Sequence, residues 1–248
     1  MRNEQSTTGG CSNRPFGPRR LGGGVAAVAL VLLAALPTRA DEPRLAYLQG
    51  LVGAAGFDRG RLSFAESAPG EPDAVSTNDL STMPCLGVAG QFALADVSDQ
   101  FGIDASLLVG WRSRRTSLVA GGGQARVDID AELWLADLAV GLYAQTLLDR
   151  RWRLYGAAGP LLLFGEYSDD TRQEDAGVAP PAESKRSSSE SAFGVGGYAR
   201  FGVEYRIAAD AFLGVMARGI ATNLRFDRAA EAGDLTGVQG FVTFTRAY

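Results

Sequence analysis

The chain has 248 residues, 46% of them hydrophobic, with 32 glycines, 10 prolines and a formal net charge of −4, the composition of a folding chain rather than a disordered one. Histidine is absent, which removes the commonest general base, zinc ligand and triad member. Lys185 is the only lysine, so no basic face awaits a nucleic-acid backbone. No cofactor motif takes their place, and an enzyme, a metal centre and a nucleic-acid partner all drop out.

The first forty residues read as an address. Arg14, Arg19 and Arg20 precede a run of Val, Ala and Leu from Val25 to Leu36, and a proline with Thr38-Arg39-Ala40 leads into Asp41-Glu42. That is the layout of a secretory signal peptide, with cleavage expected after Ala40. The apolar run is far short of the roughly 20 residues of a spanning helix, and Arg19-Arg20 lacks the flanking residues of a twin-arginine signal. Removing 1–40 takes away Arg2, Arg14, Arg19, Arg20, Arg39 and Glu4, which moves the net charge from −4 to −8. It also discards Cys11, so Cys85 has no partner for an intramolecular disulfide. No later stretch reaches 18 apolar residues, so 41–248 is expected to form one domain without transmembrane helices.

Eight strands are predicted within it. The first, 45–57, is followed by a long connection, 58–84, whose second half is rich in Glu, Pro, Asp, Ser and Thr. Strand 85–95 ends at a short turn near 96–100. The segment Phe101–Arg112 then sets the period. Phe101, Ile103, Ala105, Leu107, Val109 and Trp111 share one face, while Gly102, Asp104, Ser106, Gly110 and Arg112 share the other. A connection at 114–124 leads to 126–135, where Val127, Ile129, Ala131, Leu133 and Leu135 oppose Arg126, Asp128, Asp130 and Glu132. The stretch 136–147 is expected to continue this strand past a bulge that swaps its faces. After a turn at Asp149-Arg150-Arg151 comes 152–167, with a bulge expected at Gly159-Pro160 because proline removes a ladder donor. A long polar connection, 168–191, precedes 193–207, whose apolar odd positions (Phe193, Val195, Phe201, Val203, Tyr205) face away from Gly194, Gly196, Tyr198, Arg200, Gly202, Glu204 and Arg206. A turn at 208–210, the strand 211–226, a connection at 227–236 and the strand 237–248 complete the chain. In 211–226 the alternation assigns Phe212, Met216, Ile220 and Leu224 to lipid. Arg218 would then cost about 2–4 kcal/mol at mid-membrane, and a bulge beside Gly219 is expected to turn it inward.

Every second connection is short, which suits a membrane barrel with tight turns at one end and long loops at the other. Strands crossing hydrocarbon must satisfy every backbone group on neighbours, so the sheet has to close. The fold class is therefore an all-β, closed, eight-stranded antiparallel up-and-down transmembrane β-barrel with its apolar face to lipid. Aromatics near strand ends, Phe101, Trp111, Trp152, Phe193, Tyr205 and Phe212, are expected in interfacial girdles. The inward face would hold a lumen electrostatic network of Asp104, Arg112, Arg126, Asp128, Asp130, Glu132, Arg200, Glu204 and Arg206. In so narrow a lumen these charges should pair and fill the space.

The chain ends on an aromatic, with Val238, Gly240, Val242, Phe244 and Tyr248 on one face and Arg246 departing from the apolar pattern there. This resembles the terminal strand of outer-membrane barrels, and the mature chain as a whole resembles the small eight-stranded outer-membrane proteins, in the manner of the OmpA transmembrane domain and OmpX. The resemblance implies location in the outer membrane, lipid and the barrel assembly machinery as partners, and Val242, Phe244 and Tyr248 as the assembly signal. It implies termini in the periplasm, and possible binding of an extracellular partner by 58–84, 114–124, 168–191 and 227–236. The chain stops at its last strand, as a barrel-only member would. Enzymes of similar scaffold, the lipid A deacylases and palmitoyltransferases, outer-membrane phospholipases and omptins, use a catalytic histidine, and Ser106 has no base to activate it. The expected role is structural or surface-interactive, not catalytic.

Two alternatives stay open. A soluble periplasmic lipocalin-like barrel has the same period with the apolar face inward, although the charged, glycine-rich face and the terminal aromatic favour the membrane. A narrow channel for small solutes or ions would need a wet path past the lumen charges. Gly194-x-Gly196-x-x-Ala199 lies within the alternation and is strand glycine, not a dinucleotide loop. The acidic pairs Asp169-Asp170 and Glu174-Asp175 lack the spacing of a calcium loop. Cys85 reads as a small buried or interfacial thiol.

Overall fold

A computed structural model describes residues 44–68, 71–94, 98–120, 125–175, 182–229, 231 and 233–248; the expected leader, 1–40, lies outside them. Ten strands occur among the described residues: β1 (Arg44–Phe57), β2 (Ser63–Ala68), β3 (Glu71–Asp79), β4 (Thr82–Leu94), β5 (Ser98–Ala120), β6 (Ala125–Leu147), β7 (Trp152–Asp175), β8 (Ala182–Ala208), β9 (Ala211–Thr222) and β10 (Leu235–Ala247). Eight close into a barrel in the order β1-β4-β5-β6-β7-β8-β9-β10, with β10 returning to β1, and β2–β3 form a separate two-stranded hairpin. All pairings are antiparallel.

The outside of the barrel is apolar. Val52, Val88, Leu138, Val140, Leu142, Val195, Phe201, Leu213, Val215 and Val242 all stand exposed, a continuous area of a size that water-facing surfaces do not leave bare. Aromatics bracket it. Towards the long-hairpin end lie Trp111, directly opposite Trp134, and Phe164, directly opposite Phe193. Towards the short-turn end lie Phe101, Phe244, Tyr248 and the edge-on pair Trp152–Tyr205. Phe101 and Trp111 are separated by ~33 Å of strand. At a tilt of roughly 40° this is a height of about 25 Å, the apolar band of a membrane barrel. Phe212 departs from the expected girdle: it is buried inside.

Strand lengths divide the ring in two. β1, β4, β9 and β10 have 14, 13, 12 and 13 residues, close to the ~9–11 that a crossing needs. β5, β6, β7 and β8 have 23, 23, 24 and 27. About half of each therefore stands beyond the belt, and most of 114–124 and 168–191, expected as loops, is strand paired without interruption from Gly110↔Leu135 to Ala120↔Ala125 and from Gly165↔Ala192 to Asp175↔Ala182.

This extension corrects the facing of 126–135. Val127, Ile129, Ala131, Leu133 and Leu135 point inward and are buried; Arg126, Asp128, Asp130 and Glu132 point outward. The parity does not change further along: Asp137, Ala139 and Tyr143 are inward too, and the β5–β6 register runs unbroken from Phe101↔Ala144 to Ala120↔Ala125. No bulge swaps the faces. What changes along β6 is the medium outside it, water beside Asp128 and lipid beside Val140.

Two further bulges are absent. Around Pro160 the β6–β7 ladder skips from Ala139↔Leu161 to Leu142↔Ala158 without a register change, and β7–β8 pairing runs straight through Pro160↔Gly197. The missing proline donor costs local pairings, not register. In β9, Phe212, Met216, Arg218 and Ile220 all face inward, with no shift at Gly219; plain alternation places Arg218 inside.

Candidate functional site

The lumen is crossed by three ion pairs whose side chains are essentially inaccessible to solvent. Near the short-turn end Arg153 Nη1 donates to Glu204 Oε2 at 2.7 Å, while Glu204 Oε1 accepts from Gln49 at 2.9 Å, Thr243 at 3.0 Å and Thr245 at 2.5 Å. Arg153 also donates to Gln145 Oε1 at 2.5 Å and to Gln91. Six barrel strands thus meet at one pair. Further along, Arg200 on β8 and Arg218 on β9 lie directly opposite one another, a repulsive arrangement that is relieved from the far wall. Arg200 pairs with Asp104 on β5, which also accepts from Tyr198 at 2.7 Å. Arg218 clasps Asp137 on β6 with two bonds of 2.7 and 2.9 Å and Gln239 at 2.8 Å.

Tyrosines fill the intervals. The Arg153 guanidinium lies 3.7 Å from the Tyr47 ring centroid and 4.8 Å from that of Tyr155, Arg200 5.5 Å from Tyr155, and Arg218 5.0 Å from Tyr198, all within cation–π range. Glycines make the room: a Cβ on Gly202 would lie 2.3 Å from the Tyr155 ring, and one on Gly102 2.4 Å from Tyr143. Large side chains therefore span the narrow lumen instead of lining a pore.

Of the nine residues assigned to the lumen from sequence, Asp104, Arg200 and Glu204 are inside and bonded as described. Arg206 is half-buried at the mouth, 5.1 Å over the Phe212 ring. The other five are corrected. Arg112 is exposed beyond the belt. Arg126, Asp128, Asp130 and Glu132 sit on the outer wall of the extension, where Arg115 bonds Asp130 at 2.5 and 2.8 Å and Asp128 accepts from Ser117 and Arg126. These hydrogen bonds hold both aspartates below the usual carboxylate range. Missed were Arg153, inside the expected strand 152–167 but given no facing, and Asp137, isolated among apolar residues. Carrying the parity of Tyr143 back through Ala139 would have found Asp137. At the C-terminus Val242, Phe244 and Tyr248 face outward, and Arg246 pairs with Asp210 at 3.2 Å.

Above the lumen charges the inner face turns apolar and then polar again. Leu62 and Phe64 from the start of the β2–β3 hairpin and Leu80 from its end pack with Leu133, Leu135, Leu163, Leu224 and Phe226. Phe64 stacks on Tyr167 at 3.7 Å and meets Phe226 edge-on. Beyond this plug Arg228 ties four segments together, bonding Asp169 of β7, Ser188 of β8 at 2.5 Å and Glu66 of β2 at 3.2 Å. Glu66 also accepts from Tyr167 at 2.5 Å. A cavity of about 310 Å³ opens over this knot, lined by Ala65, Glu66, Asp169, Thr171, Arg186, Ser188 and Arg228.

Burial raises the Glu66 carboxyl above its ordinary 4.5, against the hydrogen bond from Tyr167 and with the help of Asp169. Burial also pushes the Tyr167 hydroxyl up, so it stays a donor. A carboxyl whose folded pKa is raised binds its proton more tightly when folded, so it favours the native contacts at low pH and loses that contribution as pH rises through the window above 4.5. Hydrogen exchange of the β2 amides, corrected for intrinsic rates, should accordingly become less protected across that window, and Glu66→Gln should flatten the trend. An unchanged trend in Glu66→Gln would assign it elsewhere.

Among solved structures the chain is similar to Ail, the attachment invasion locus protein of Yersinia pestis (11% identity, 82% of this chain and 99% of that one, TM-score 0.37). It is also similar to Neisserial surface protein A (9%, 82% and 96%, 0.36) and to the N-terminal β-barrel domain of Pseudomonas aeruginosa OprF (11%, 82% and 99%, 0.30). No curated protein matches it in sequence. The family model described as outer membrane protein beta-barrel domain matches residues 25–241. With its closed eight-stranded ring and its lipid-facing belt, the chain belongs to the outer membrane protein beta-barrel domain family and is an integral protein of the outer membrane.

Proposed function

We propose that the protein is a non-catalytic, non-conducting outer-membrane scaffold that meets extracellular partners with the sheet β5–β8, whose long-hairpin end faces out of the cell. The observation that carries this reading is the difference in strand length: four strands end with the belt and four continue for about as many residues again. Extra strand that crosses no lipid is useful only for what it presents to water.

The extension also presents unpaired backbone. β9 first pairs with β8 at Gly196↔Thr222, and Asn223 bonds both the N–H and the C=O of Val195, so residues 182–194 have a barrel neighbour on the β7 side alone. A sheet edge of this kind can add an extended segment of a partner by main-chain bonding. The lumen supports the other half of the proposal, since three desolvated ion pairs and the apolar plug span its cross-section.

Planar bilayers containing the purified protein should show no conductance steps at moderate voltage. Cells displaying it should adhere to immobilised matrix protein, and trimming 112–131 and 168–191 to tight turns should abolish adherence while the heat-dependent shift in gel mobility, the mark of a folded barrel, persists. Unit conductance, altered in Arg218→Ala, would replace this reading with the narrow channel. Full adherence by the trimmed protein would move the contact away from the sheet.

A further inference from the structure

We propose that the cavity over the Arg228 knot is a binding site for a small zwitterion, a molecule with an ammonium and an anionic group a few ångströms apart. This rests on the outward orientation proposed above.

The cavity holds unbalanced charges apart. The floor of the cavity has two carboxylates, Glu66 and Asp169, 5% and 3% exposed, and only one cation, Arg228, that bonds both. With both ionised the floor is left one negative charge in excess. Glu66 Oε1 accepts from Tyr167 and Arg228, and Asp169 Oδ1 accepts from Arg228; the two carboxyls also meet each other, the protonated Glu66 donating to Asp169, and once that proton leaves both are free to accept. On the wall Arg186, two residues before Ser188 on β8, lines the same cavity and has no hydrogen bond or ion pair among the described residues. Thr171, directly opposite Arg186 on β7, adds a hydroxyl. The remaining charged group nearby, Glu190, is occupied by the backbone N–H groups of Asp227 and Arg228. The site therefore offers an acceptor-rich, negative floor and a donor-rich, positive wall.

A ligand with one charge would satisfy one side and be opposed by the other; a zwitterion satisfies both. The guanidinium fork of Arg186 suits a carboxylate or phosphate, and the paired carboxylates suit an ammonium. The volume, about 310 Å³, lies at the small end of ligand pockets and fits an amino acid or a phosphoethanolamine group. The floor is held rigid from below by Tyr167 and Phe64, so little ordering is left to binding. An ammonium on the floor would keep Glu66 ionised, which couples binding to release of the Glu66 proton.

Calorimetric titration of the full-length folded protein in detergent tests this, with β-alanine and O-phosphoethanolamine as zwitterionic probes and acetate, inorganic phosphate and ethylamine as single-charge controls. At least one zwitterion should bind ten times or more tighter than every control. Arg186→Ala and Asp169→Asn should each weaken it at least tenfold, while Arg225→Ala, on the exposed pair with Asp234, should not. Affinity should rise with pH through the window above 4.5, and Glu66→Gln should abolish the accompanying proton release. Phosphate binding as tightly as O-phosphoethanolamine would overturn the proposal in favour of a plain anion site. So would an absence of binding by all probes to protein that keeps its heat-dependent gel shift. Binding in detergent with none to intact cells would leave the site standing and remove the orientation on which its exposure depends.

Discussion

Replacing Arg153 with methionine is expected to destabilise the barrel by about 3–5 kcal/mol, the cost of leaving a fully buried carboxylate without its cation. Glu204 Oε1 keeps three donors in that variant, but Oε2 loses its bond to Arg153 Nη1. Three strands lose contacts at once, because Gln91 and Gln145 bond the same guanidinium. Removing both charges is different. In Arg153→Met/Glu204→Leu nothing ionised stays desolvated, and most of the loss should be recovered, since a buried pair repays little more than its own desolvation. Urea unfolding in lipid vesicles, followed by the gel shift, measures the double-mutant cycle, and the coupling should reach about 2 kcal/mol, at the upper part of the range for contacting residues. A single variant within about 1 kcal/mol of the parent would mean that water reaches Glu204 and that the lumen is wetter than its packing indicates. The exposed pair Arg115–Asp130 should show no comparable effect, because solvent screens it.

Cross-lumen pairing of this kind explains which parts of the fold were legible in the sequence. In 101–112 and 193–207 the two faces differ chemically along the membrane crossing, with glycine, Asp104, Tyr198, Arg200 and Glu204 against an unbroken apolar set. Alternation there identified the strand and its inward side together. In 126–135 the same signal gave the strand and reversed its sides. A period of two separates faces without naming them: the apolar interior above Leu133, filled by Phe64 and Leu62 from a hairpin about seventy residues earlier, selects the same side chains as lipid does. The switch of polarity between Glu132 and Leu138 looked like a bulge because a single strand passes from water into lipid at Trp134. The strands β5–β8 beyond the belt were hidden for a related reason. On β5, β7 and β8 serines and charges recur at both parities, and even buried positions such as Asp169 and Thr171 are polar, so these stretches resemble a loop in composition. The Glu66–Tyr167–Arg228 knot joins residues up to 162 apart in sequence, which no local pattern reports.

The boundary on β6 can be tested directly, with opposite outcomes at two positions of one parity. Val140 and Glu132 both face outward, eight residues apart on a strand of unbroken register. Val140→Arg places a charge near the middle of the apolar belt and should cost about 2–4 kcal/mol of unfolding free energy in lipid, as at a bilayer midplane. Glu132→Arg lies on the water side of Trp134 and should leave stability unchanged, even though it reverses a charge. The contrast depends on the medium and not on packing, because neither side chain has a close-packed shell. The same two variants therefore separate the readings that periodicity left open. In a soluble ligand-binding barrel the outer face meets water everywhere, and Val140→Arg would be neutral or would aid solubility. In a barrel with a face-swapping bulge after 135, Val140 would face lipid as well, but Glu132 would stand in the lumen, and Glu132→Arg would bury an arginine there in place of a paired carboxylate at a cost of several kcal/mol, about that of breaking a buried ion pair. A cost at 140 with none at 132 is the result that only a lipid-facing Val140 on an unbroken strand produces.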